Sequence, residues 1–483
     1  MPVPTDPRGL RGDAPLLDAW LRFQEQAPTP FTIPGHKHRS DLVGDIVAGD
    51  VPLYAGLDTM KLSAGVLAAA EARAARLWGA DRCRYSVGGA TQANQAVALA
   101  LADSEGRRVV VGRTLHRSTL LGLVLAGLSP VWVRPEVDAA TGLPLGVPPG
   151  AVAAALAAAP DAGAVLVADP SYVGTVGDVA GLAEVAHAHG VPLVVDAAWA
   201  AHFGFHPALP RHALQLGADA MVVSAHKTLP AWSQAALVLA RTGRLDPVRL
   251  DAGVDATATT SPAGAILASI DAARALLEAD GESLLGEAID AVRVARARLS
   301  EVDGLVVLDG PSVDPLKLTL VLSRTGAHGV AVEDDLLAAG LPLEAAERDL
   351  LVAQVSLADT TRTLTRLVDM LLASIGRHRG APRPVVTGAA YAVDPVTVLP
   401  PRAAFLAEAE AVPVARAVGR VCAELVAPYP PGIPVLAPGE EVTDAAIEAL
   451  DRARADGVRV AYAADPTLAT LRVVTARGAS ASG

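Results

Sequence analysis

Lysine is scarce in this chain: of 40 basic residues only Lys37, Lys61, Lys227 and Lys317 are lysine, and the rest are arginine. Either residue can carry surface charge. A guanidinium stays protonated whereas a primary amine need not, so imine chemistry is open to lysine alone. Lys227 has the most suggestive surroundings. It follows the β-branched run Ala220-Met-Val-Val-Ser224 in Ala225-His226-Lys227-Thr228-Leu229. That order places an amine, a hydroxyl and an imidazole just past a strand, where the amine could form an imine with a carbonyl compound.

A second run, Val191-Pro-Leu-Val-Val-Asp196, ends on a carboxylate where the strand should be buried. A buried carboxylate needs a partner or takes up a proton. A protonated pyridine nitrogen would be such a partner, and the pair would keep an aromatic cofactor cationic and able to accept electrons. Ser86-Val-Gly88-Gly89-Ala90-Thr91-Gln92 opens a helix predicted to run to about Asp103, and its first backbone N–H groups suit a phosphate. Arg113-Thr-Leu-His116 follows the run Val109 to Gly112 and sets a flat imidazole where a ring could lie against it. Asp169-Pro-Ser-Tyr172 adds weaker polar contacts at a third strand end. Taken singly, each has an ordinary reading: a helix cap, a surface histidine, a turn. His202 and His206 have the spacing of metal ligands, but Phe203-Gly204-Phe205 between them reads as a loop, and no metal is expected.

These residues need a sheet to hold them. Five short β runs, Val109 to Gly112, Ala164 to Asp169, Val191 to Asp196, Ala220 to Ser224 and Ala235 to Ala240, alternate with amphipathic helices, which predicts a mainly parallel sheet flanked by helices. Ligands of such sheets bind at the carboxyl ends of the strands. After about residue 250 the pattern changes to two long helices, about 265–279 and 284–302, then strand-like Lys317 to Leu322, a helix, and strand-like Leu351 to Leu357. The expected organisation is an N-terminal segment (1–60), a large domain (61–255), a smaller α+β domain (256–377) and, after the linker His378 to Pro384, a C-terminal unit (385–483).

Composition narrows the function classes. The chain has 51% hydrophobic but only 3% aromatic residues and a formal net charge of -12, which leaves no basic footprint for nucleic acid. Its longest apolar stretch, Leu120 to Val133, is interrupted by Pro130 and falls short of the about 20 residues that span a bilayer. The N-terminus lacks a signal-peptide pattern, and Cys83 and Cys422 suggest no disulfide framework, so a cytoplasmic protein is expected.

The order of these features resembles the Orn/Lys/Arg decarboxylases. Pro34-Gly35-His36-Lys37, Asp196-Ala-Ala198-Trp199, Ser224-Ala-His226-Lys227-Thr-Leu, Thr259-Thr260-Ser261-Pro262, Asp314-Pro-Leu-Lys317 and Pro428-Tyr-Pro-Pro-Gly-Ile-Pro434 followed by Pro438-Gly-Glu440 carry the likeness. The resemblance implies a fold-type-I α/β enzyme using pyridoxal 5'-phosphate to decarboxylate lysine, arginine or ornithine. Lys227 would hold the cofactor as a Schiff base, Asp196 its pyridine nitrogen, and His116 and Ala198 its two faces. Ala90, Thr91, Ser224 and His226 would hold the phosphate, with Thr260 reaching it from a partner subunit, which implies a homodimer or higher homo-oligomer. Lys227 or His226 would reprotonate Cα. Gly89-Ala90-Thr91 departs from a Gly-Ser-Thr loop by one hydroxyl. Transamination or aldol cleavage on the same fold, and a non-catalytic cofactor-binding homologue, remain as alternatives.

Overall fold

The computed structural model describes residues 5–26, 31–51, 65–104, 106–394, 396–429 and 432–480. Lys61, the boundary at residue 60/61, and Pro430 and Pro431 lie outside them.

A seven-stranded sheet forms the centre, in the order β1-β7-β6-β5-β4-β2-β3. Its strands are β1 (Arg82–Ser86), β2 (Arg108–Gly112), β3 (Ser129–Val133), β4 (Val165–Ala168), β5 (Leu193–Asp196), β6 (Ala220–Ser224) and β7 (Ala236–Ala240). From β3 to β6 every pairing is parallel, while β7 is antiparallel to both β6 and β1. Two antiparallel steps restore direction, so β1 ends at the same edge as the parallel strands. The five expected strands are all present. β1 and β3 are additional: β1 reads Arg-Cys-Arg-Tyr-Ser, a pattern too polar to announce itself, with Arg84 buried against Asp251 at 2.8 Å. β3 is the second half of the apolar stretch from Leu120, whose first half belongs to the helix Arg117–Ala126, stopped by Gly127 in the left-handed conformation (φ 71°).

The two expected long helices are a single 37-residue helix, Gly264–Ser300. Residues 280–283, between the two expected helices, continue the helix. Gly281 sits buried inside the helix, with the tip of the Leu277 side chain 2.9 Å from where a Cβ would be, and does not act as a stop. This helix packs against Pro15–Gln26 and Thr361–Arg377.

A four-stranded antiparallel sheet follows, β10-β11-β9-β8, built from β8 (Val306–Val307), β9 (Lys317–Val321), β10 (Ala345–Glu347) and β11 (Leu350–Gln354). Near the C-terminus β12 (Ala409–Pro413) pairs with β15 (Thr470–Val474), and β13 (Ala427–Tyr429) with β14 (Arg459–Ala461). Val426, Ile433, Leu436, Val442, Leu450 and Leu471 form a separate core there. Among the described residues no helix is long and apolar enough to cross a membrane.

Candidate active site

The carboxyl edge of the large sheet opens into a cavity of about 620 Å³. Ala90, Thr91, His116, Asp196, Ala198, Ser224, His226 and Lys227 all line it. The loop after each strand explains the convergence: β1 delivers Ala90 and Thr91, β2 His116, β5 Asp196 and Ala198, and β6 the last three. Thr260 is exposed and lies outside the lining of its own chain's cavity.

Asp196 is buried and accepts three hydrogen bonds, from Asn94 Nδ2 (2.7 Å), Thr119 Oγ1 (3.4 Å) and the Ala198 amide (3.2 Å). All three donors are neutral, so the carboxylate is oriented without being ion-paired. Asn94 also donates to Ser118 Oγ at 3.1 Å, tying the helix Gly89–Leu101 to the one that His116 caps. Neither Asn94 nor Thr119 was anticipated from sequence, because each meets Asp196 only through the fold.

His116 Nδ1 accepts from the Ser118 amide at 3.2 Å, as an N-cap, so this nitrogen carries no proton. Burial pushes the imidazole pKa down, with Lys227 adding to the effect against Asp196, which favours the neutral ring, and the residue lines the cavity. His226 is the opposite tautomer: its Nδ1 donates to the Ala235 carbonyl at 2.9 Å. Burial lowers its pKa too.

The amine of Lys227 stands 3.8 Å from the centroid of the Trp199 ring. Burial lowers its pKa, opposed by Asp196 and Glu344, which increases the share of free amine. Lys317, buried under the small sheet, approaches the same indole at 3.6 Å and donates to Gln354 Oε1 at 2.5 Å. Burial brings its ammonium down to about 7.

Tyr172, Glu344, Tyr429 and Ile433 close the cavity. The Tyr172 hydroxyl donates to Glu344 Oε1 at 3.2 Å. Sequence alone could not place Glu344; the structure sets it across from the strand ends. Asp169 turns away, accepting from the Gly177 amide at 2.6 Å, so this strand end contributes Tyr172 but not its carboxylate. His202 bonds to Asp314 at 3.0 Å, and among the described residues no group of three or more His, Cys, Asp or Glu could hold a metal.

Two groups point to a bound anion. Ser224 Oγ and Thr114 Oγ1 are buried in the cavity wall without a hydrogen-bond partner among the described residues. The first amides of the helix Gly89–Leu101, at Ala90 and Thr91, lack carbonyls one turn back. A phosphate there would satisfy donors that are otherwise idle.

The loop holding His116 is itself anchored from the C-terminal region. Arg113 makes a two-pronged ion pair with Glu440 (2.6 and 2.8 Å), both side chains about 2% exposed, and lies 4.6 Å over the Trp132 ring. Glu440 is the end of the Pro438-Gly-Glu440 motif, and its Oε2 also accepts from the Ala437 amide at 2.8 Å.

Parallel strands whose ends gather a lysine, an aspartate and an anion-ready helix start define the fold-type-I α/β class of enzymes. The chain belongs to the Orn/Lys/Arg decarboxylase family: its residues 14–331 match the family's major domain and 385–455 its C-terminal domain. Arginine decarboxylase of Halalkalibacterium halodurans is 32% identical over 481 residues, covering 95% of this chain and 97% of that protein. Arginine decarboxylase of Bacillus subtilis is 29% identical, covering 96% and 98%. Among solved structures, lysine decarboxylase A from Pseudomonas aeruginosa shares the fold, with a TM-score of 0.80 and 24% identity over 97% of this chain and 81% of that one. Membership of this family makes the chain an amino acid decarboxylase acting on a basic substrate.

Proposed function

We propose that the chain decarboxylates a basic amino acid with pyridoxal 5'-phosphate held at the carboxyl edge of the large sheet. The observation that carries this is the meeting of Lys227 and Asp196 in one cavity, the first with a depressed amine pKa and the second a buried carboxylate bonded only to neutral donors. When bound, the cofactor supplies an electron sink for the pair left on Cα as carbon dioxide departs. Asp196, oriented by Asn94, would face the pyridine nitrogen, and His116 and Ala198 would flank the ring. Ala90, Thr91, Ser224 and His226 would hold the phosphate, which requires His226 Nε2 to take up a proton, because Nδ1 is committed to Ala235.

Lys227 would anchor the cofactor and, once substrate frees its amine and it is protonated, give a proton to Cα, with His226 the other candidate. Glu344, positioned by Tyr172, would meet the cationic side chain of the substrate. Arginine is the first substrate to test, because relatives matched over nearly their whole length carry that name. A homodimer is proposed in which Thr260, exposed in its own chain, serves the partner's phosphate site. Two buried free thiols suit the reducing cytoplasm. Domain divisions at 61–255, 256–377 and 385–483 are supported by the three groups of strands.

The test is carbon dioxide release from L-arginine, L-lysine and L-ornithine after pyridoxal phosphate is supplied. Stoichiometric amine and carbon dioxide from one of them supports the reading. A keto acid in place of carbon dioxide would move it to transamination, and a protein that stays colourless with added cofactor would remove it.

A further inference from the structure

A second cavity, of about 150 Å³, lies between the small sheet, the segment after residue 385 and the C-terminal helix Asp444–Ala455. Its wall is mostly apolar, with Leu143, Leu350, Tyr391 and Ala453, and it shares Tyr172 and Ile433 with the catalytic cavity. Glu347 also lines it and has neither a hydrogen bond nor an ion pair from its side chain among the described residues. Two arginines line the cavity with it: Arg348 bonds to Asp349 (2.7 Å) and Asp456, and Arg452 is exposed and makes no ion pair among the described residues. Glu347 is partly exposed, so its carboxylate reaches water as well as apolar side chains, and a cation entering the cavity would meet it without first breaking an ion pair of its own.

We propose that this cavity is a second binding site, for a small protonated primary amine, with Glu347 as its counter-ion. The volume matches that of engineered protein cavities, about 150 Å³, that accept a guest of benzene size, so an alkyl chain of a few carbons fits. The reaction proposed above would release an amine, which is the one point at which that reading enters. The strand β10 gives the site a route to the chemistry. Glu344, just ahead of β10, lines the catalytic cavity, and Glu347, the last residue of β10, lines this one. Charge brought to Glu347 therefore bears on the strand that presents Glu344.

The groups facing Glu347 are Arg348 and Asp349 on its own hairpin, Asp456 and Arg452 beside the C-terminal helix, and the Tyr172 and Tyr391 hydroxyls. Burial, with Asp349 and Asp456 adding to it, holds the Glu347 carboxyl at about 7. An alkylammonium stays charged through this range, so its affinity should rise about tenfold from pH 6 to pH 8 as Glu347 ionises.

Calorimetric titration of the cofactor-loaded protein with pentane-1,5-diamine, an amine with no α-carboxylate, tests the site. Glu347→Gln should weaken binding at pH 8 at least about tenfold, while Lys227→Ala leaves it within about twofold. Binding that survives in Glu347→Gln but is lost in Lys227→Ala belongs to the catalytic cavity and overturns the proposal, as does any other pattern, including no binding by the wild-type protein. Should Glu347→Gln not fold, the wild-type pH series decides: affinity that is flat or falls between pH 6 and pH 8 overturns it. Neither readout depends on turnover, so a failed decarboxylation assay leaves this test intact.

Discussion

Two buried ionic regions of this molecule are built on opposite terms. At Arg113–Glu440 the two terminal guanidinium nitrogens each meet a carboxylate oxygen, Nη2 also donates to the Val435 carbonyl, and Glu440 Oε2 also accepts from the Ala437 amide. In the catalytic cavity, Asp196 has neutral donors only, Lys227 rests on an indole, and Ser224 Oγ has no partner among the described residues. Completed pairs hold parts of the chain together; incomplete ones are positions where a ligand finishes the set. The first kind stabilises the fold at rest, and the second kind leaves free energy to be gained on binding.

Removing the amine should break this contrast most severely. Lys227→Ala is expected to lose about a thousandfold or more in turnover, about 4 kcal/mol of transition-state stabilisation, and to lose the visible absorbance that pyridoxal phosphate gives with the wild type. Next comes the completed pair: Glu440→Ala strands a buried guanidinium, and chemical denaturation should report a loss of about 3–5 kcal/mol. Replacing Arg113 and Glu440 together with methionine should recover most of it, which a pair needed only for its charge would not allow. Glu344→Gln is smaller, with KM for the basic substrate rising about tenfold and kcat changing less.

The last expected effect is on pH dependence. Lys317 holds its proton with a pKa of about 7 when folded, below the ordinary lysine value of 10.5. Between these values the unfolded chain binds the proton that the folded chain has given up, so stability should climb with pH by up to about 1.4 kcal/mol per unit. In Lys317→Met that contribution disappears, and the difference between the two proteins' stability curves at pH 7 and pH 9 measures it.

The strand ends of the site were legible in sequence because each is a local signal, an apolar run that stops on a polar residue. Asp196 and Ser224-Ala-His226-Lys227 are of this kind. Asn94 and Thr119 were not legible: a helix interior shows no sign that its amide will meet a carboxylate 102 residues further on. Glu344 could not be placed from sequence, since only the packing of the small sheet brings it to the cavity. The helix Gly264–Ser300 was misread as two: Gly281 lies buried inside it beside the Leu277 side chain, and burial of that kind is not visible in the sequence. β1 was missed because its arginines are neutralised by Glu71 and Asp251, partners the sequence does not identify.

Arg113 stands just ahead of His116 on one short loop, so the hold of Glu440 on the first sets the seat of the second. Colour becomes a gauge of docking: if the C-terminal portion loosens on warming or is nicked by a protease, the chromophore should fade or shift before helical circular dichroism falls. A shortened chain lacking residues beyond 384 would keep every group proposed to grip the ring yet uncover Arg113 and the apolar surface that Leu425 and Ala437 cover, and should fold poorly.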